Sequence, residues 1–135
     1  ELQAPRRLGR SVGAVLAGLV AIVVTHTGTD AILHAAGVFP PAGQAMSDGL
    51  FALATAYRVA FEVLGAALTA SLAPQRPMKH ALVLGSIGVV PALAGLVATI
   101  VKGPELGPVW YPLALVLTSL PACWLGAWLR TSRLT

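Results

Sequence analysis

His26, Asp30, Tyr57, Arg58 and Glu62 are polar groups set inside long apolar runs, and they are the residues of this chain that can do chemistry. Arg58 and Glu62 lie four apart between Gly49 and Thr69, so a helix carries both on one side. His26, Asp30 and His34 recur at the same spacing in Thr25-His26-Thr27-Gly28-Thr29-Asp30-Ala-Ile-Leu33-His34. Two imidazoles and a carboxylate are ligands for zinc or another divalent ion. Residues eight apart on a helix are about 12 Å apart, however, so one ion would need two of these three and a ligand from elsewhere. The same groups can instead neutralise one another, or line a polar pocket or path. No nucleotide loop, HExxH, serine elbow or haem-attachment motif accompanies them. No catalytic or metal-ligating role is therefore assigned, and the cofactor is left unknown. Cys123 is the single cysteine, which excludes an intramolecular disulfide; its apolar neighbours make it a small buried hydrophobe.

The elements that must position these groups follow from composition. Of 135 residues, 56% are hydrophobic and 10% charged, with a mean hydropathy of +0.80. A soluble domain is about 45–50% apolar with glycine counted and about 25% charged. A chain of this length has too little interior to hide so much apolar surface from water, so its partner is the lipid bilayer. Apolar stretches of about 20 residues span a bilayer as helices, and four are present, at about 11–36, 48–72, 81–101 and 109–129. The runs are continuously apolar and lack the alternation of a barrel strand. The connectors hold Pro40, Pro41, Pro74, Pro77, Pro104 and Pro108 with several glycines, and Ser47 or Asp48 can cap the second helix. The reading is all-α: one transmembrane domain over 1–135, an antiparallel up-down bundle of four spans. The chain opens on Glu1 with a basic segment and then an apolar run, like a signal peptide, but the run continues too far and reads as a retained first span.

Arg6, Arg7, Arg10, Arg76, Lys79, Arg130 and Arg133 fall on one side of these spans, and Lys102 with Asp48 and Glu105 on the other. The positive-inside rule then puts both termini in the cytoplasm, in the inner membrane of a bacterium. The net charge of +4 is explained by this distribution, and no basic stripe suggests nucleic acid. Gly13, Ala17 and Ala21, and beside them Ala14 and Gly18, form small-residue faces that suit helix packing within the bundle, a homo-oligomer or a membrane-complex partner. Trp110 and Tyr111 at one end of span four and Trp128 at the other fit an aromatic belt; Trp124 is a turn deeper and can face a neighbour.

Depth suggests partners. Asp30 lies about seven residues below the 37–47 connector and Arg58 about ten below Asp48, a difference of roughly 5 Å. His26 and Glu62 lie deeper. The expectation is two stacked polar layers, Asp30 with Arg58 and His26 with Glu62, with Tyr57, Thr25, Thr27 and Thr29 adding hydrogen bonds. His34 reads as an interface residue.

Ala56-Tyr57-Arg58, Ala66-Ala-Leu-Thr69, Ala73-Pro74, Pro77-Met78-x-His80-Ala-Leu-Val83 and Trp110-Tyr111-Pro112 together resemble a group of small bacterial four-span membrane proteins. That group has no assigned activity, so the resemblance implies a fold and a membrane but no function. In size and span count the chain also looks like a small multidrug transporter, yet those carry their glutamate in the first span, and here it is in the second. Three functions remain open at this point. One is binding or moving a small molecule or ion at the intramembrane site. Another is an accessory subunit of a membrane complex, and the last is a metal- or haem-dependent intramembrane enzyme.

Overall fold

The computed structural model describes residues 4–132. Glu1 and Arg133 lie outside the described residues, as does the side chain of Arg6. Within them the chain forms four α-helices and no strand: α1 (Ala4–Ala35), α2 (Asp48–Leu72), α3 (Pro77–Lys102) and α4 (Trp110–Ser132), with a 3-10 turn at Pro104–Leu106 before α4. All four are long and apolar enough to cross a membrane.

Helix α2 has the expected limits; α1 begins earlier than expected, α3 extends past both of its limits, and α4 continues past its expected end. Helix α1 begins at Ala4, because its basic first turns are good helix formers even where they are too polar for lipid. Helix α3 begins at Pro77, whose missing N–H costs nothing in a first turn. The Ser47 hydroxyl caps α2 by accepting from the Leu50 N–H, while Asp48 accepts from the Trp110 indole at 3.2 Å. That bond joins the starts of α2 and α4 at one end of the bundle. At the opposite end His80 and Ser11, 2.8 Å apart, join the starts of α3 and α1. Successive helices are therefore antiparallel.

Helix α2 is central. It packs extensively on α4 and on α1, and α3 lies against α4, whereas α1 meets α3 only lightly. The interfaces are built from small residues, since lipid supplies no hydrophobic drive between helices and close backbone approach must replace it. Of the two small-residue faces on α1, the one carrying Ala14 and Gly18 is buried against α2; at Gly13 an added Cβ would meet no neighbouring element within 4 Å among the described residues. Thr69, fully buried, donates to the Ala14 carbonyl at 2.8 Å and locks this contact. On α4, Gly126 meets the backbone of Val63 and Ala67. The prolines within α3 and α4, Pro91 and Pro121, leave both helices continuous. Trp124 and Trp128 stack at 6.0 Å on an exposed face and so present a flat aromatic surface to lipid. Cys123 is buried.

Candidate functional site

The polar residues converge on the α1–α2 interface. A guanidinium N–H of Arg58 donates to Asp30 Oδ2 at 2.5 Å, and the Tyr57 hydroxyl donates to the other carboxylate oxygen. This is the only ion pair among the described residues, with the two side chains 21% and 32% exposed. Adjacent residues on α2 therefore fill both oxygens of one carboxylate on α1, which cancels its charge and fixes its rotamer.

His26 sits one turn deeper and also belongs to Arg58. Its Nε2 is 3.1 Å from the Arg58 carbonyl, and its Nδ1 is 3.3 Å from the guanidinium. A carbonyl only accepts and a guanidinium only donates. One state of the ring serves both: neutral, with the proton on Nε2. Arg58 thus joins Asp30 and His26 by its side chain and main chain together. Its Nε is buried without a hydrogen-bond partner among the described residues.

Glu62 departs from the expected pairing. Among the described residues it forms no ion pair with Arg58 and no hydrogen bond with His26. A step of four residues advances about 40° around a helix, and from Arg58 this turns Glu62 toward α3 and α4. There it meets Ser119, with Oγ 3.2 Å from Oε1. The same Oγ is 2.9 Å from the Gly85 carbonyl. A serine hydroxyl has one proton to give. Pointed at Gly85, it satisfies Glu62 only when the glutamate itself carries a proton on Oε1. Pointed at an ionised Glu62, it abandons the Gly85 carbonyl. The protonation of Glu62 is thereby tied to a rotor on α4.

Two cavities meet at Arg58. The first, about 300 Å³, opens at the end of the bundle holding the 36–47 connector and is lined by Asp30, Tyr57, Glu105 and Tyr111. The second, about 330 Å³, lies within the apolar spans and is lined by His26, Thr27, Glu62 and Gly88, and by Pro91 at its α3 wall. Arg58 is on the wall of both.

Among the described residues the expected threonines add no hydrogen bond to the cluster. Thr25 bonds back to the Ala21 and Ile22 carbonyls of its own helix. Thr27 lines the deeper cavity, and among the described residues no hydrogen bond involves the Thr29 side chain. His34 is exposed, bonded to the Asp30 carbonyl at 2.8 Å, with its ring edge-on to buried Phe39. Ser119 and Tyr111 complete the site and escaped the sequence reading; the one signal for Ser119 was a polar Thr118-Ser119 pair in the middle of an apolar span. No three of His, Cys, Asp and Glu converge as a metal centre among the described residues. No protein family, curated protein or solved structure matches the chain.

Proposed function

We propose that this is a multi-pass protein of the bacterial cytoplasmic membrane, with both termini inside, that binds a small polar molecule or ion in the deeper cavity. The Asp30–Arg58 pair controls its passage. The location is supported by the lysine and arginine distribution and by the resemblance drawn from sequence. The observation that carries the function is Arg58 standing on the walls of both cavities. A solute in the outer cavity meets the ion pair before it reaches Glu62 and His26. Each cavity has room for about ten waters, enough for a hydrated ion or a small organic solute. Ionisable groups within a membrane commonly line such paths. The Ser119 rotor adds a means of linking movement to the proton on Glu62.

The test is proton flux into liposomes holding the reconstituted protein and an entrapped pH-sensitive dye, under an applied potential. The expected result is protein-dependent flux, abolished in Glu62→Gln and raised in Asp30→Asn. Liposomes as tight as protein-free ones, unaltered by either substitution, would rule the proposal out. A second reading, an accessory subunit in which the cluster only locks α1 to α2, is favoured by the double engagement of Asp30. Under it Asp30→Asn weakens the fold and no flux appears.

A further inference from the structure

Away from the polar cluster, at the end of the bundle where α1 and α3 start, these two helices part and leave a groove of about 520 Å³. Its long walls are Val12 and Leu16 from α1 and Val83 and Ile87 from α3. All of these are exposed, so the groove opens sideways from the bundle. In a spanning protein that direction is lipid, and an acyl chain matches such walls.

The end of the groove is of opposite character. Arg76 and Lys79 stand there, exposed and free of any ion pair among the described residues. His80 is already occupied. One of its ring nitrogens is 3.0 Å from the Arg76 carbonyl and must donate, so in the neutral ring the other accepts from the Ser11 hydroxyl. This strap fixes the spacing of α1 and α3 and leaves the two cations to meet something else. Arg76 is also the one non-glycine residue with positive φ among the described residues, at 49°, and it starts α3 without a side-chain cap. A left-handed backbone at such a residue persists only where its surroundings impose it, and ligand clamps are among the places where it collects.

We propose that this groove binds one anionic phospholipid, with an acyl chain between Val12, Leu16, Val83 and Ile87 and its phosphate at Arg76 and Lys79. Charge complementarity selects the headgroup, since basic pockets between spans hold anionic lipids. The apolar walls select a lipid over a free phosphate. The lipid completes the packing that α1 and α3 leave open. The proposal is independent of the function assigned to the Asp30–Arg58 cluster.

The experiment incubates the purified full-length chain with micelles of phosphatidylglycerol and phosphatidylcholine of identical acyl chains in equal amounts. Native mass spectrometry then counts the lipid retained. The wild type should retain phosphatidylglycerol in preference by about thirtyfold, the scale expected for two surface cations. The double variant Arg76→Gln/Lys79→Gln should bring the two lipids to parity, and Val83→Trp, which fills the groove, should lower retention of both. The charge variants alter exposed side chains, so they report even if Val83→Trp fails to fold. Equal retention by the wild type, or undiminished preference in the double variant, would overturn the proposal. So would displacement by glycerol phosphate, which would mean a phosphate site that needs no acyl chain.

Discussion

Arg58 on α2 holds Asp30 on α1 at 2.5 Å, and it does so with a carboxylate whose other oxygen is filled by its own neighbour, Tyr57. One turn of α2 therefore neutralises the single acidic group of the α1 span. Asp30→Asn should cost about 2 kcal/mol, between the values for exposed and fully buried pairs, because it strands the guanidinium. The double variant Asp30→Asn/Arg58→Gln should cost less than its two single changes added together. Thermal unfolding in detergent, run as a double-mutant cycle, measures this coupling.

Tyr57→Phe separates the hydrogen bond from the charge. The ring still packs near Phe61, at 6.2 Å, while Asp30 loses one donor and keeps Arg58. The expected loss is about 1–2 kcal/mol. Arg58→Lys should cost more than Tyr57→Phe, because one ammonium cannot span both Asp30 and His26. The two unfolding midpoints, compared in the same detergent, check the order.

The spans were legible because long apolar runs have few alternatives in a chain this small. Asp30–Arg58 was legible too, since antiparallel spans joined by a short connector can be matched by depth. The partner of Glu62 was not. Depth sets height along a helix but not the direction a side chain faces, and these spans are apolar on every side, so no polar stripe marks a face. The roughly 40° between Arg58 and Glu62 becomes decisive only once α2 is known to lie between α1 and α4. The choice between the small-residue faces of α1 was hidden for the same reason.

Glu62→Gln offers a test of the serine rotor. A glutamine amide can donate to Ser119 at any pH, as a protonated glutamic acid does, so the variant should fold with stability near that of the wild type. Its proton flux should be absent at every pH, because an amide neither takes up nor releases a proton. Ser119→Ala removes the rotor: Glu62 loses its hydroxyl partner, while the Gly85 carbonyl keeps its bond within α3. Its flux should be altered even though Ser119 lines neither cavity. Flux measured across a pH series for both variants is the check, and a glutamine variant with the wild-type profile would sink the rotor.

The two faces of α1 predict opposite outcomes for the same substitution. At Gly18 an added methyl would meet the Thr69 hydroxyl, the Gly65 carbonyl oxygen at 2.8 Å and a Leu84 methyl at 2.9 Å. The carbonyl belongs to the backbone of α2 and cannot turn aside, so α1 must move outward and stretch the bond from Thr69 to Ala14. Gly18→Ala should destabilise by about 1–3 kcal/mol, the usual cost of overpacking. At Gly13 the added methyl meets nothing within 4 Å, and alanine is the better helix former, so Gly13→Ala should be neutral or stabilising by up to about 1 kcal/mol. Because the lost contact joins α1 to α2, Gly18→Ala should also weaken the Asp30–Arg58 coupling farther along the same interface. Unfolding midpoints for the two variants, with the double-mutant cycle repeated in the Gly18→Ala background, separate packing from intrinsic helix preference. Equal midpoints would mean that α1 does not pack on α2 through Gly18.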